Sequence, residues 1–283
     1  ADPVRVSQGY RDVNANGTID RIDVTFSECV VVGECEIGDY TIGGADLGSI
    51  VITPASCAVS GSDYQLSITG APANDTYFVL TLAYTAANGI ASSLEDATGN
   101  ALGDLSASAI SDLSTPIRVS QSYKDTNLNG AVDRLDVTFS ENILLNECEA
   151  GDYTIGGADA GSIAVSACAV SGSDLRLTIT GATSMDTSLT LTLAYSQTAG
   201  TANSLKDENS NSMTSLGATT ISDASAPVLS TVHIEDTGTP NGIIDKLTLT
   251  WTENLDTDDG VAPVLADFGT ITLPDGSAVS SAT

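Results

Sequence analysis

Short stretches in which apolar and polar residues alternate recur along this chain. In residues 19–27, Ile22, Val24 and Phe26 fall on one side of an extended chain, and the residues between them are mostly polar. The same alternation turns two further sets of side chains inward: Phe78, Leu80, Leu82 and Tyr84, and then Leu189, Leu191, Leu193 and Tyr195. A period of two is typical of strands with one buried face, so the pattern predicts an all-β protein.

The alternating stretches predict about seven strands in the first part of the chain, the number expected for a β-sandwich. They lie near residues 4–10, 19–27, 40–42, 49–52, 64–69, 78–84 and 107–110. An aromatic residue occupies the same place in the pattern at Phe26, Phe139 and Trp251. We interpret these three aromatics as core residues, because large apolar rings on an inward phase usually pack in the interior.

The pattern also repeats on a larger scale. Pro3-Val-Arg-Val-Ser7 returns as Pro116-Ile-Arg-Val-Ser120 and, less closely, as Pro227-Val-Leu-Ser-Thr231. The stretch from Pro3 to Pro116 is longer than one turn of a solenoid and has the length of one β-sandwich domain. We therefore predict three domains: repeat 1 over residues 1–113, repeat 2 over 114–225 and an incomplete repeat 3 over 226–283.

The third repeat matches only the beginning of the other two. One interpretation is that the sequence is a fragment. The other is that strands of a neighbouring molecule complete the repeat by pairing with residues 243–273, where Leu247, Leu249 and Trp251 form an apolar face. Copies of the chain itself, or neighbouring surface-protein domains, are accordingly the predicted partners.

The charge balance limits the other partners. The 283 residues carry 9 basic and 37 acidic side chains, for a net charge of −28. Such a surface repels nucleic acid and anionic membranes. No apolar run approaches the roughly 20 residues that a spanning helix needs, so direct membrane insertion is not expected.

Five cysteines indicate the cellular compartment. Cys35 and Cys57 enclose a segment of repeat 1, and Cys148 and Cys168 enclose the matching segment of repeat 2. Paired occurrence predicts one disulfide in each repeat, and disulfides predict an extracellular or cell-surface protein. Cys29 is left over, and we expect it to be a buried free thiol, with an intermolecular bridge as the alternative.

Two oxygen-rich loops precede equivalent strands. The first reads Asp12-Val-Asn14-Ala-Asn16-Gly17-Thr18-Ile-Asp20, and the second spans Asp125 to Asp133. Oxygen-bearing side chains at positions 1, 3, 5 and 9, with glycine at position 6, are the layout with which a chain wraps calcium. The predicted ligands are the side chains of Asp12, Asn14, Asn16 and Asp20 with the carbonyl of Thr18, and those of Asp125, Asn127, Asn129 and Asp133 with the carbonyl of Ala131.

The competing interpretation of these loops is an ordinary hairpin turn, since Asx-Gly sequences are common there. Two copies that keep all four oxygen positions favour calcium, with dissociation constants of about 10⁻⁴–10⁻³ M. A third loop, from Asp236 to Asp245, breaks the spacing. Asp112 and Asp223 stand at the repeat junctions, where we expect solvated linker acids, with a junctional ion site as the alternative.

These motifs together resemble known families. The loops are similar to the calcium loops of integrin α-subunit propellers and to the start of an EF-hand loop. Residues 25–29, 59–69, 80–84 and 94–102, with their copies in repeat 2, resemble bacterial Ig-like repeats of S-layer proteins and of the cyanobacterial swimming-motility surface protein. The resemblance implies tandem Ig-like β-sandwich domains and a structural role at the cell surface.

Two classes of function follow. The first is a structural protein of an S-layer, an adhesin stalk or an extracellular filament, built from calcium-stabilised Ig-like repeats. The second is a carbohydrate- or ligand-binding module of a larger secreted surface protein. We do not expect an enzyme, because a Ser-His-Asp arrangement would need His233, which falls on a predicted strand. Asn74-Asp-Thr76 has the spacing of a glycosylation acceptor.

Overall fold

The computed structural model describes residues 2–33, 35–86, 88, 94–199, 204–238, 242 and 244–255, without the side chains of 54–56. The prediction of an all-β protein is confirmed: strands carry the regular structure of the described residues, together with two 3₁₀ turns at Ile37–Asp39 and Ala150–Asp152. The chain divides into two compact units, Ala1–Ala226 and Pro227–Thr283. The first unit therefore contains both repeat 1 and repeat 2.

The described residues of repeat 1 form nine strands, named in chain order. They are β1 (Arg5–Arg11), β2 (Arg21–Phe26), β3 (Val30–Val32), β4 (Tyr40–Gly43), β5 (Val51–Ser60), β6 (Asp63–Thr69), β7 (Leu80–Tyr84), β8 (Leu94–Asp96) and β9 (Leu105–Asp112).

In repeat 2, ten further strands follow among the residues that the structure describes. They are β10 (Arg118–Lys124), β11 (Arg134–Phe139), β12 (Ile143–Leu145), β13 (Tyr153–Gly156), β14 (Ala164–Ser171), β15 (Asp174–Thr180), β16 (Thr192–Tyr195), β17 (Leu205–Asp207), β18 (Leu216–Thr220) and β19 (Ser222–Asp223).

The last strand of repeat 1, β9, pairs with β7 on one side and with β1 on the other. The strand order is β4-β7-β9-β1-β2-β6-β5. The first part of β9 is antiparallel to β7, and its last two residues turn parallel to β1, with Gly9 opposite Ser111 and Tyr10 opposite Asp112. In repeat 2, β18 pairs with β16 and β19 pairs with β10 in the same manner. The end of each repeat is therefore tied to its first strand.

Each repeat has its own hydrophobic core. The inward-phase residues of β2, β6 and β7 fill the first core, and those of β11, β15 and β16 fill the second. Phe26 and Phe139 are both buried, as their phase predicts. The predicted inward residues of 78–84 and 189–195 are buried in every case. Burial on the alternating phase explains why these segments are strands: extended chains there place one face in the core and the other toward water.

The structure also has short strands that the sequence pattern does not predict. The strands β3 and β8 are three residues each and pair with one another, as do β12 and β17. Three residues are too few to display a period of two. The predicted strand 78–84 begins too early, since β7 starts at Leu80. The predicted strand 49–52 ends too early, since β5 continues to Ser60.

The second unit is described only in part, as the antiparallel pair β20 (Leu229–Glu235) and β21 (Lys246–Trp251). Trp251 is half-buried rather than fully buried in the described structure. Residues 256–283 lie outside the described residues, so the pairing of residues 243–273 with a neighbouring molecule stays a prediction. Among the described residues, no helix has the length and apolar composition to cross a bilayer.

Candidate metal centre

The linker from repeat 1 to repeat 2 is part of the folded structure. The Ser114 N–H donates to Oδ1 of Asp112 at 2.8 Å, and the Ser114 hydroxyl accepts the N–H of Asp12 at 3.1 Å. The Leu113 N–H donates to the carbonyl of Tyr10 at 3.1 Å. These bonds fix the linker against the start of the first oxygen-rich loop. The expectation of a solvated linker acid is wrong for Asp112, because this residue is only 7% exposed.

Two acids of repeat 2 meet Asp112 at this linker. Glu141 follows β11, and Asp207 is the last residue of β17. A carboxylate oxygen of each of the three residues lies within 4.8 Å of the others. Glu141 is 5% exposed and Asp207 is fully buried. We call Asp112, Glu141 and Asp207 the junction triad, and it is shared by the two repeats.

Polar groups of both repeats surround the triad. The Thr76 hydroxyl of repeat 1 donates to Oε1 of Glu141 at 2.6 Å and contacts the Ser140 hydroxyl at 2.7 Å. From repeat 2, the Asn209 side-chain amide donates to Oδ2 of Asp112 at 3.3 Å, and that of Asn211 donates to the Asp112 carbonyl at 3.2 Å. Donors from both repeats therefore hold the linker and the triad in place.

The electrostatics of the triad require a positive partner or bound protons. Burial raises the pKa of Asp112 and of Glu141, and the nearby charge of Asp207 raises both further. The ion pairs described in repeats 1 and 2 engage Asp23 and Asp136 instead of the triad. Ionised carboxylates this close and this buried repel one another strongly.

The triad fits a hard divalent cation. Calcium binds oxygens at 2.3–2.6 Å, so two oxygens on one ion lie at most about 5 Å apart. The separation within 4.8 Å meets this limit for all three carboxylates. Carboxylate oxygens are the ligands that calcium and magnesium prefer. Asp112, Glu141 and Asp207 would therefore hold the ion, which would replace the missing positive charge.

The predicted calcium loops fold as compact turns. In the first, Asp12 accepts the N–H groups of Asn16 at 3.2 Å and Gly17 at 2.7 Å, and the Asn14 amide donates to Asp20 at 2.9 Å. Gly17 has φ 83°, the left-handed conformation expected of glycine at position 6. The structure thus brings Asn14 to Asp20 and closes the loop around Asp12.

The second loop has the same contacts. Asp125 accepts the N–H of Gly130 at 2.7 Å, the Asn127 amide donates to Asp133 at 2.8 Å, and the Asn129 side-chain oxygen accepts the N–H of Ala131 at 2.9 Å. The carboxylates have further lone pairs, so these bonds leave them able to bind an ion. Calcium binding by the eight side chains, and by the carbonyls of Thr18 and Ala131, stays a prediction. In the third loop, Gly242 donates to Asp236 and Thr237 donates to Asp245.

A cleft lies beside the junction triad. Its volume is about 570 Å³, and residues of repeats 1 and 2 line it, including the acids Asp46, Asp75, Glu141 and Glu208. Tyr77 also lines it and is 45% exposed. His233 lies on β20, where it pairs with Glu235 at 3.1 Å. The expectation that the chain is not an enzyme stays an expectation.

The disulfides and the remaining cysteine have definite positions. Cys35 is bonded to Cys57 and Cys148 to Cys168, the pairs that the sequence predicts. The expectation that Cys29 is buried is wrong, because its side chain is exposed. It follows β2 at a point where repeat 2 has Asn142, outside the core of its own repeat.

The glycosylation motif at Asn74 coincides with the junction. Thr76, the third residue of the motif, is fully buried and its hydroxyl is bonded to Ser140 and Glu141. An enzyme that reads the motif needs access to this hydroxyl. The folded junction therefore disfavours modification of Asn74 after folding.

Sequence reasoning considered Asp112 but did not find Glu141, Asp207 or Thr76. A signal was present: Glu141 recurs as Glu28 and Glu253, Asp207 as Asp96, and Asp112 as Asp223. Acids at equivalent positions of separate repeats fit a shared site at each junction. In a protein so rich in acids, this recurrence is visible only once the repeats are aligned.

The described residues form an all-β fold in which a buried carboxylate cluster lies between two sequence repeats of the first compact unit. No family model matches the chain, and no curated protein matches it. Among solved structures, one match is the surface layer protein SbsC, domains 4–9. That match has 13% sequence identity and a TM-score of 0.18, and it covers 82% of this chain. The chain spans 32% of the length of that structure.

Proposed function

We propose that this chain is a structural protein of a cell surface or extracellular assembly, in which divalent cations lock successive β-sandwich repeats together. An S-layer, an adhesin stalk and an extracellular filament all require domains that keep a fixed relative orientation. The single observation that carries the proposal is the junction triad, because its ligands come from both repeats. An ion there would bind only the docked arrangement and so would stabilise it.

The surroundings of the triad support a fixed junction between the two repeats. Thr76, Asn209 and Asn211 make hydrogen bonds across the two repeats, and the linker between them is buried at Ser114. A short, bonded linker restricts domain motion far more than a free tether does. The two disulfides support an oxidising location outside the cytoplasm.

Calcium is the cation that we propose. Extracellular calcium is abundant at millimolar levels, which suits modules with dissociation constants of about 10⁻⁴–10⁻³ M. The two oxygen-rich loops would hold further ions, one in each repeat. Since the linker bonds directly to Asp12, an ion in the first loop would stiffen the segment that delivers Asp112 to the triad.

The test is the number of calcium ions bound by the intact protein. We expect Glu141→Gln to lower the bound calcium by one ion per chain, measured by equilibrium dialysis and elemental analysis, and to lower the melting temperature in calcium. Glu28→Gln is the matched control, since Glu28 occupies the same position of repeat 1 and is not part of the triad. Equal calcium content in Glu141→Gln and the unmodified protein would refute a cation at the junction.

A second candidate function is carbohydrate or ligand binding. The observation that favours it is the acid-lined cleft with the exposed ring of Tyr77, since glycan sites combine aromatic surfaces with carboxylates. Screening the protein on a glycan array, with Tyr77→Ala as the control, tests it. Binding that survives Tyr77→Ala would have to occur elsewhere on the molecule.

A further inference from the structure

The junction between repeats 1 and 2 has two halves. One half is the donor segment, residues 112–114, which ends repeat 1. The other half is the acceptor face of repeat 2, formed by Ser140, Glu141, Asp207 and Asn211. The donor segment supplies Asp112 to the triad, and Asn211 of the acceptor face donates to the carbonyl of Asp112.

Repeat 2 ends in a second donor segment with the same bonds. The Ser225 N–H donates to Asp223 at 2.8 Å, and the Ser225 hydroxyl accepts the N–H of Asp125 at 3.0 Å. The corresponding distances at Ser114 are 2.8 and 3.1 Å. The parallel pairing is also the same, with Asp223 opposite Tyr123 as Asp112 is opposite Tyr10. The donor segment therefore has the same structure at the end of both repeats.

Repeat 1 carries the matching acceptor residues: Ser27, Glu28, Asp96 and Asn100. Asn100 donates its N–H to Asp96 at 2.9 Å and its side-chain amide at 2.6 Å, and Asn211 makes both bonds to Asp207 at 2.7 Å. The Ser27 hydroxyl accepts the N–H of Val4 at 3.0 Å.

The corresponding bond in repeat 2 joins Ser140 to the N–H of Ile117 at 2.9 Å. Both faces thus have the same local structure. The difference lies in exposure: Ser140 is 7% exposed under the neighbouring repeat, whereas Ser27 is exposed and Glu28 is only half-buried.

We propose that the acceptor face of repeat 1 is a docking site for the donor segment of another repeat of the same design, with the sequence Asp-x-Ser, and that a divalent cation joins the two. This inference rests on the proposed function, because it extends the same type of junction to a face that repeat 1 exposes. The independent support is that the equivalent face of repeat 2 already holds such a segment within this molecule.

Three residue differences distinguish the acceptor face of repeat 1 from that of repeat 2. They determine how tightly we expect each face to hold a donor segment. Thr98 stands where repeat 2 has Asn209, and its hydroxyl donates to Asp96 at 2.8 Å instead of crossing to a linker. Ala97 and Cys29 replace Glu208 and Asn142, which bond to one another at 3.4 Å. The acceptor face of repeat 1 therefore offers one hydrogen-bonding N–H or O–H group fewer to the incoming aspartate. We expect it to hold its partner less tightly than the junction between repeats 1 and 2.

The test extends the full chain by one repeat. A copy of residues 3–115 is placed directly before Pro3, replacing Ala1 and Asp2, so that the natural linker Asp112-Leu-Ser114 leads into the original repeat 1. The extended protein has two residues equivalent to Glu28. One lies in the original repeat at the new junction, and the other lies on the outer face of the added copy.

The same substitution at these two places gives the matched comparison. Glu28→Gln at the new junction should remove one bound calcium per chain and lower the melting temperature. Glu28→Gln in the added copy should change neither quantity. Equal effects at the two places, or no effect at either, would overturn the docking proposal.

A Glu141→Gln variant of the extended protein separates this failure from a failure of the proposed function. If Glu141→Gln still removes one calcium while both Glu28→Gln variants behave alike, only the docking proposal is overturned. If Glu141→Gln also leaves the bound calcium unchanged, the cation-locked junction itself is refuted, and the docking proposal with it.

Discussion

At the scale of single residues, the acids of this protein have different roles although they carry the same functional group, a carboxyl. Asp96 and Asp207 each accept two bonds from an asparagine four residues later, and those bonds lower the pKa of Asp96 well below its ordinary range. Burial does the opposite at the junction, where it raises the pKa of Glu141. Composition alone cannot tell these environments apart, because the pKa depends on neighbours and burial.

The raised pKa values of Asp112 and Glu141 predict a pH dependence of stability in calcium-free protein. Without a cation, the folded state binds more protons than the unfolded state once the pH exceeds the ordinary carboxyl pKa of about 4. The free energy of unfolding should therefore fall as the pH rises from about 4.5 to 7.5. Under the proposed function, calcium bound to the ionised triad should reverse the loss at pH 7.5.

Urea unfolding at several pH values, with chelator and with calcium, measures this dependence. Glu141→Gln should reduce the fall in the free energy of unfolding of the calcium-free protein by at least about 1 kcal/mol. The reason is that it removes the carboxyl whose pKa is raised most. Glu28→Gln serves as the control for the loss of one carboxylate. Identical pH profiles for the two variants would contradict the role assigned to the junction triad.

Thr76 gives a second prediction at this scale. Its hydroxyl is buried and bonded to Glu141 and Ser140, so Thr76→Val keeps the shape but leaves the Glu141 oxygen without this donor. Loss of a buried bond to a charged group costs about 1–3 kcal/mol. Calcium titration followed by calorimetry should show a lower melting temperature and weaker binding of one ion. An unchanged affinity would show that Thr76 does not support the site.

At the scale of elements, alternation and repetition in the sequence predict most of the strands but little of the junction. The phases of β2, β7, β11 and β16 are correct because each has enough residues to show which face is buried. The pairs β3–β8 and β12–β17 are too short for this. The triad was missed for another reason: its members are distant in sequence and meet only after β9, β11 and β17 have folded and two repeats have docked.

The oxygen-rich loops give a prediction about calcium and the local hairpins. Removing a bound ion leaves Asp12 and Asp20, and Asp125 and Asp133, without a compensating charge, so the start of β2 and of β11 should loosen. Hydrogen exchange of residues 12–22 and 125–135 should accelerate on chelation. Asp133→Asn should remove the effect of chelator on hydrogen exchange in residues 125–135 only. Residues 12–22, which keep their loop unchanged, serve as the internal control. Exchange that does not respond to chelator would favour plain hairpin turns.

The thiols give a prediction that needs no metal. Peptide mapping without reduction should recover the Cys35–Cys57 and Cys148–Cys168 links, and one thiol, Cys29, should react with maleimide in the folded protein because it is exposed. Replacing Cys148 and Cys168 by alanine together should cost about 3 kcal/mol of unfolding free energy, through greater freedom of the unfolded chain. A folded protein with no reactive thiol would contradict the exposure of Cys29.

At the scale of the whole molecule, two repeats form one compact unit because their linker is short, buried and bonded at both ends. Repulsion acts against this arrangement, since the net charge of −28 disfavours close contact between acidic domains. Bound cations would offset that repulsion where it is greatest, at three buried carboxylates. The same ions would thus control both the stability of each junction and the stiffness of a series of repeats.

We predict that calcium fixes the orientation of repeat 2 relative to repeat 1. Spin labels on Cys29 and on Ser171→Cys, both exposed, report a distance between the two repeats. With calcium the distance distribution should have one narrow peak, and chelator should broaden it because the ionised triad pushes the repeats apart. Glu141→Gln should remove the calcium dependence. Labels on Cys29 and Ala107→Cys lie within repeat 1 and should give a narrow distribution in every condition. A distribution between the repeats that stays equally narrow without calcium would mean that hydrogen bonds and packing alone hold the joint, and the ion would then have no mechanical role.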